Sequence, residues 1–200
     1  MIRIGVLISG RGSNLQAILD ACRDGRIDGQ VVVVISDQPD APGLERARKA
    51  GVEALFLDPK ASPSRVAYSA ALAEELKARQ VDLVCLAGFM RIVHKPLLDA
   101  FPWRVMNIHP SLLPAFKGLR AQKQALDYGV KITGCTVHFV TEEMDGGPII
   151  CQAAVPVLED DTEETLAERI LKEEHRIYPE AIQLFALGKL RVVGRRVVVG

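Results

Sequence analysis

The side chains in this sequence best suited to catalysis are an asparagine and a histidine with one residue between them, and an aspartate 36 positions after the histidine. They lie in the segments 107–111 (Asn-Ile-His-Pro-Ser) and 145–148 (Asp-Gly-Gly-Pro). Imidazole exchanges protons near neutral pH, and a neighbouring amide can donate a hydrogen bond to a developing oxyanion. A carboxylate that reached the imidazole would orient it and favour its charged form. We therefore interpret Asn107, His109 and Asp145 as a catalytic set for acyl transfer without a covalent nucleophile.

Each of these residues also has an ordinary structural interpretation. His109 could be a hydrogen-bonded histidine of the core, and Asp145, which precedes two glycines, is typical of a turn. The catalytic hypothesis makes a stricter geometric demand. The carboxylate must reach one ring nitrogen while Asn107 and His109 converge on one reacting atom.

A glycine-rich segment near the N-terminus, residues 9–14 (Ser-Gly-Arg-Gly-Ser-Asn), suggests an anion site. It matches only part of a dinucleotide-binding fingerprint, because Leu15 occupies the third glycine position. Gly12 would let the backbone approach a ligand, and the amides that enter the following helix could bind a phosphate. The alternative is a plain turn in which Ser13 or Asn14 caps the helix. Arg11 favours the anion.

Glu174 interrupts an apolar helical stripe formed by Leu166, Ile170 and Ile177. A buried carboxylate is costly unless it is paired or hydrogen-bonded. It could bind a ligand hydroxyl or amine, pair with a nearby base, or tilt towards water. For His138, on a predicted strand, a satisfied core histidine is the favoured interpretation.

The alternation of short β-branched runs with helical patterns predicts a doubly wound α/β fold, with a mostly parallel sheet and a Rossmann-like N-terminal half. The predicted strands of that half cover 2–9, 31–36, 53–57 and 81–87. Its helices cover about 14–24 and 41–51, and a third starts at Ser62-Pro63 with Val66, Ala70, Ala73 and Leu76 on its inner face.

The second half is predicted to extend the sheet with late antiparallel strands. The predicted elements are helices at 97–101 and 121–128, strands at 104–108, 133–140 and 149–155, and a loop at 110–118. Residues 161–164 have capping-box spacing and start a long helix, which Pro179 kinks or restarts. The tail, 190–199, is a strand or a hairpin.

Composition excludes several classes of function. The 25 basic and 25 acidic residues cancel and form no basic stripe, so we expect no nucleic-acid partner. The four cysteines lack zinc spacing and are predicted to be reduced core thiols, and we expect no metal. No signal peptide or membrane span is apparent. We predict one domain over 1–200, with a phosphate-binding half (about 1–100) and a catalytic half (about 101–200), in a cytoplasmic monomer or homodimer.

With these residues laid out, the chain resembles the phosphoribosylglycinamide formyltransferases, which are folate-dependent enzymes of purine synthesis. The similarity runs over nearly the whole chain. It is strongest in four segments: 9–16 (SGRGSNLQ), 86–92 (LAGFMRI), 107–114 (NIHPSLLP) and 145–149 (DGGPI). The histidine and aspartate segments are common to formyl-folate enzymes, whereas the Gly12-Ser13-Asn14 loop is more particular to this family.

The resemblance implies formyl transfer from the co-substrate 10-formyltetrahydrofolate to the amine of 5-phosphoribosylglycinamide. It also makes the second half, about 101–200, the folate-binding half as well as the catalytic one. It implies that Asn107, His109 and Asp145 are catalytic, that Gly12, Ser13 and Asn14 bind the substrate phosphate, and that Glu174 binds its ribose side. The folate pocket would comprise Arg65, Met90, Arg91, Ile92, Val93, Asn107, Thr141, Glu142, Glu143, Met144 and Asp145. Segment 115–122 differs from bacterial members, which have histidines there, and is assigned no ligand contact.

Four other functions remain open. A formyl-folate hydrolase would use water as the acceptor, but is expected to have an extra N-terminal regulatory domain and no need of the phosphate loop. A methionyl-tRNA formyltransferase would add a basic C-terminal domain. A nucleotide-binding oxidoreductase could place Asp37 on a ribose, and a noncatalytic nucleotide-binding module would leave Asn107 and His109 unused.

Overall fold

The computed structural model describes residues 1–200 and contains one nine-stranded sheet in the order β3-β2-β1-β4-β5-β6-β7-β9-β8. The strands are β1 Ile2–Ile8, β2 Gly29–Ser36, β3 Glu53–Phe56, β4 Leu83–Leu86, β5 Val105–His109, β6 Ile132–Phe139, β7 Ile149–Pro156, β8 Leu190–Val193 and β9 Arg196–Val199. Neighbours from β3 through β5 pair in parallel, which confirms the predicted doubly wound half.

The predicted antiparallel extension is also confirmed. Strand β6 pairs antiparallel with both β5 and β7, and Asn107 lies opposite His138 in the β5–β6 register. The tail forms the hairpin β8–β9, which joins the sheet through the parallel pair Ile149 and Arg196. In the parallel half, β2 and β3 lie on one side of β1, whereas β4 and β5 lie on the other, so the order of the strands reverses between β1 and β4. Open sheets of this kind bind ligands at such a point.

The helices cover both faces of the sheet. They are α1 Ser13–Arg23, α2 Pro42–Lys49, α3 Arg65–Ala78, α4 Lys95–Ala100, α5 Ala121–Tyr128 and α6 Glu163–Ala186. One apolar core includes buried side chains of α1, α2, α5 and α6, and a second core on the other face includes those of α3 and α4. None of the helices is both long enough and apolar enough to cross a membrane.

The predicted start and inner face of α3 were partly wrong. Ser64, not Ser62, caps the helix by accepting a hydrogen bond from the Ala67 amide. Val66 lies exposed in the first turn, whereas Tyr68 and Leu72 join Ala73 and Leu76 in the core. The buried residues of α3, at 68, 69, 72, 73 and 76, form the stripe that faces the core, so the predicted inner face included Val66, which does not lie on it.

The long helix α6 also differs in detail from its prediction. Thr162 is the cap, and the reciprocal partner is Thr165, so the box lies one residue later than 161–164 suggested. Pro179 lies inside the helix and does not restart it, because buried side chains on both sides of it hold the helix against the sheet. The Tyr178 hydroxyl, fully buried, donates to the Leu86 carbonyl at 2.8 Å and lies 3.2 Å from the Met106 carbonyl.

Candidate active site

Two adjoining cavities open at the carboxyl ends of the parallel strands. The smaller, about 320 Å³, is lined mainly by the β1–α1 loop and by residues after β4. The larger, about 700 Å³, lies over the ends of β4, β5 and β6 and includes Asn107, His109 and Asp145. Asn14, Gly88 and Met90 line both cavities, so ligands in the two spaces would meet at a common wall.

His109 ends β5 and is held at both ring nitrogens. Its Nε2 lies 2.8 Å from the Phe116 carbonyl oxygen. A carbonyl can only accept a hydrogen bond, so Nε2 is the nitrogen that donates a proton there. The other nitrogen, Nδ1, lies 3.5 Å from Asp145 Oδ2. A second proton on Nδ1 would therefore make an imidazolium that faces a carboxylate.

Asp145 is both a turn residue and the partner of His109, so the two interpretations of it are compatible. Its φ is 52°, a left-handed conformation that aspartate tolerates better than most side chains. Gly147 lies two residues later in the same turn. A Cβ on it would lie 1.7 Å from the Phe139 carbonyl oxygen, so only glycine fits there. The Gly118 amide donates to Asp145 Oδ2 at 2.8 Å and fixes the carboxylate.

Asn107 is oriented by its antiparallel neighbour, His138. Nδ1 of His138 lies 2.9 Å from the Phe139 carbonyl oxygen and therefore donates to it. Burial lowers the pKa of His138, which keeps the ring neutral and leaves Nε2 as an acceptor. Asn107 Nδ2 lies 3.4 Å from that Nε2 and donates one hydrogen to it. Its second amide hydrogen remains available to the cleft.

The first loop has the geometry of an anion site rather than of a capped turn. Gly12 has a φ of 75°, and α1 begins after it with no side-chain hydrogen bond to its first turn, so the predicted Ser13 or Asn14 cap is absent. A Cβ on Gly12 would lie 2.8 Å from Gly43 Cα. Asn14 is nine-tenths buried at the cavity wall, and its Oδ1 has no hydrogen-bond partner in the protein. This oxygen only accepts, so it would take a hydroxyl or N–H of a ligand, and the anion would be held by the backbone amides.

Glu174 is buried and lines the large cleft. It forms no ion pair and is only 5% exposed, so two of the three interpretations, pairing with a base and tilting to water, do not apply. Burial raises its pKa to about 7, an increase that the Asn14 amide partly offsets. The carboxyl group thus changes charge near neutral pH beside the wall that the two cavities share.

Most of the residues assigned to folate lie together. Met90–Val93 and Thr141–Asp145 line the large cleft with Asn107. Arg65 does not, since it lies exposed in the first turn of α3, and its assignment stays a prediction.

Asp37 is held inside the protein. It accepts hydrogen bonds from Arg91 Nε at 2.7 Å and from Ser9 Oγ at 2.6 Å. Both carboxylate oxygens are thus engaged, which argues against Asp37 as a ribose ligand of an oxidoreductase.

Segment 115–122 contributes more than the sequence suggested. Its backbone supplies the Phe116 carbonyl and the Gly118 amide that hold His109 and Asp145, and residues 118–122 line the cleft. These are main-chain groups, which every residue type has, so the amino-acid sequence does not indicate them. The role of His138 could have been found only with the β5–β6 register known.

The comparisons with known proteins identify the family of the chain. The model of the family described as formyl transferase matches residues 2–182. The chain is 49% identical over 191 residues to phosphoribosylglycinamide formyltransferase of Escherichia coli K12, covering 96% of this chain and 90% of that protein. It superposes on the crystal structure of glycinamide ribonucleotide transformylase 1 from Symbiobacterium toebii with a TM-score of 0.99 at 71% identity, covering 100% of this chain and 94% of that one.

Other relatives are much longer. The chain is 52% identical over 188 residues to the trifunctional purine biosynthetic protein adenosine-3 of Drosophila melanogaster, which covers 93% of this chain. It spans only 14% of that protein's length and 19% of the human protein of the same name.

Proposed function

Because the chain belongs to the formyl transferase family, we propose that it transfers a formyl group from 10-formyltetrahydrofolate to the amine of 5-phosphoribosylglycinamide, a step of de novo purine biosynthesis. One observation supports this above the others. Asn107, His109 and Asp145 converge in a cleft that adjoins an amide-lined cavity suited to a phosphate. Formyl donor and phosphorylated acceptor would thus meet at the shared wall.

In the proposed reaction the glycinamide amine attacks the formyl carbon directly. A carbon–nitrogen bond forms, and the carbonyl electron pair moves onto oxygen. The Asn107 amide hydrogen that His138 leaves free donates to this oxyanion, and the positive charge of protonated His109 stabilises it, while Asp145 orients His109 and balances its charge. Asp145 or a bound water carries the amine proton to the folate nitrogen, which leaves as the tetrahedral intermediate collapses.

Binding of the two substrates is divided between the cavities in this proposal. Gly12, Ser13 and Asn14 bind the ribonucleotide phosphate, and Glu174 binds a ribose hydroxyl. Residues 90–93 and 141–145 enclose the folate, whose formyl end faces Asn107. No metal takes part. We also propose a cytoplasmic location, which the four unpaired cysteines support.

The test is formyl release from 10-formyltetrahydrofolate with and without 5-phosphoribosylglycinamide. Release that depends on the ribonucleotide is expected, with one formylated product formed per folate released. Equal release without the ribonucleotide would instead identify a hydrolase with water as acceptor. If the protein catalysed neither reaction but bound a nicotinamide nucleotide, the result would favour the oxidoreductase hypothesis.

A further inference from the structure

Helix α2 holds the β1–α1 loop from the side opposite the small cavity. The Gly43 amide donates to the Gly10 carbonyl at 3.0 Å, and Arg46 Nε donates to the Arg11 carbonyl at 2.7 Å. The approach is close, because a Cβ on Gly43 would lie 2.4 Å from Ile8 Cδ1. Two consecutive carbonyls of the loop are therefore turned towards α2.

The orientation of these carbonyls determines where the loop amides point. In a trans peptide the N–H of the next residue is antiparallel to the carbonyl. With the Gly10 and Arg11 carbonyls on α2, the N–H groups of Arg11 and Gly12 point away from it. Neither N–H has a hydrogen-bond partner in the protein. Consecutive free amides of this kind form a concave site for an anion.

Arg46 also brings an uncompensated charge to the loop. Its only other hydrogen bond, from Nη1 to Gln16 Oε1, is long at 3.4 Å, and it belongs to no ion pair. Its charge adds to the effect of burial in lowering the pKa of His175 on α6. Arg48, two residues further along α2, differs because it pairs with Glu45 on the surface at 3.6 Å.

We propose that Arg46 is a positioning residue for the phosphate of the acceptor substrate. It acts through the Arg11 peptide, whose carbonyl it holds so that the Gly12 amide faces the ligand, and it supplies positive charge from behind the loop. It does not line the cavity and does not touch the substrate. This inference rests on the proposed function for its choice of ligand.

The first experiment compares steady-state kinetics of Arg46→Gln and Arg48→Gln. Both remove one positive charge from α2, but only the first releases the Arg11 carbonyl. For Arg46→Gln we expect KM for 5-phosphoribosylglycinamide to rise about tenfold, as for the loss of a charge-assisted hydrogen bond, with kcat and KM for formyl folate within about twofold. Arg48→Gln should stay within about twofold in all three.

Arg46→Lys separates charge from geometry. Lysine keeps the charge but lacks the planar Nε–H that contacts the carbonyl. We expect KM for the ribonucleotide to rise about threefold and to keep the wild-type dependence on salt, whereas Arg46→Gln should lose part of that dependence. A purely structural role of Arg46 would lower thermal stability in both variants without this split.

The second experiment does not depend on the reaction. Orthophosphate is titrated into the wild type and both glutamine variants while the backbone amide signals of Arg11 and Gly12 are followed by NMR. Weaker orthophosphate binding in Arg46→Gln alone supports the inference even if ribonucleotide-dependent formyl transfer is absent and the proposed function fails. Equal orthophosphate affinity in wild type and Arg46→Gln, or an equal loss in Arg48→Gln, would overturn it.

Discussion

The two cavities differ in what their polar groups contact. In the large cleft every side chain of the proposed catalytic set is bound to another protein group: His109 to Phe116, Asn107 to His138 and Asp145 to the Gly118 amide. In the small cavity the Gly12 amide and Asn14 Oδ1 have no partner. Groups that act on a transition state gain from being fixed beforehand, whereas groups that bind a ligand must keep a free hydrogen-bonding position.

This contrast predicts that changes in the two regions affect different kinetic constants. Changes to Asn107, His109 and Asp145 in the large cleft should lower kcat and spare substrate affinity, and changes to the loop of the small cavity should do the reverse.

Asn107→Ala should have the largest effect. Loss of one oxyanion donor costs about 3 kcal/mol, so kcat should fall about 10² to 10³-fold. Folate binding should change little, because the amide acts on charge that develops only in the transition state. Stopped-flow kinetics and equilibrium folate titration check the two halves of the prediction. Normal turnover in this variant would remove Asn107 from the mechanism.

Asp145→Asn should be nearly as damaging, with kcat reduced roughly 10²-fold. The amide keeps the turn and can still accept from Gly118, but it cannot balance a protonated His109. Steady-state kinetics together with a circular dichroism spectrum distinguish lost chemistry from lost folding. A loss of less than about threefold would reduce Asp145 to its turn role alone.

Glu174→Gln should change how stability depends on pH. The folded-state pKa, about 7, lies above the ordinary value of 4.5, so the folded protein binds the proton more tightly than the unfolded chain. The stabilisation that this proton gives is complete below pH 4.5 and is lost as pH rises through 7. Glutamine mimics the protonated acid at every pH. At pH 8 the free energy of unfolding of the variant should therefore exceed that of the wild type by up to ~3 kcal/mol.

Urea unfolding at pH 5, 6, 7 and 8 measures this gain. Glu173→Gln is the control, because that neighbouring carboxylate pairs with Arg176 on the surface and should leave the pH profile unchanged. Parallel profiles for wild type and Glu174→Gln would mean that Glu174 ionises as it does in water.

Gly12→Ala should have the smallest of these effects, and its effect should fall on affinity alone. A Cβ at a φ of 75°, 2.8 Å from Gly43 Cα, strains the loop by about 1–2 kcal/mol. KM for the ribonucleotide should rise about tenfold at nearly constant kcat. Gly10→Ala is the matched control, since a Cβ there meets nothing within 4 Å. A fall in kcat of the same size would contradict the separation of the two regions.

Local patterns predicted most of the fold. Short apolar runs and turn residues located the strands to within a few residues, and alternation with helices implied the parallel half. The errors arose where two local signals competed. Ser62 and Ser64 can both cap a helix, and the nearby sequence does not show that Ser64 is the one that does. The intrinsic cost of Pro179 was outweighed by the packing of α6 on the sheet.

The site was predictable in part for a related reason. His109 ends the parallel strand β5, and the glycine loop follows the parallel strand β1. The topology therefore places both at the same edge of the sheet. The meeting of Asp145 with His109 depends on the antiparallel register and on a turn with positive φ, which spacing alone does not determine. The Phe116 carbonyl and the Arg46 contact act through the main chain, which is the same for any residue type.

Glu174 and Tyr178 are one helical turn apart on α6, and this spacing constrains how the helix can change. The carboxyl group lines the large cleft, while the hydroxyl contacts the Leu86 carbonyl at the end of β4 and the Met106 carbonyl within β5. Inserting a single residue between them would swing one away from the other by about 100°. Substitutions on the outer face of this stretch should therefore be tolerated during divergence, whereas insertions and deletions should not.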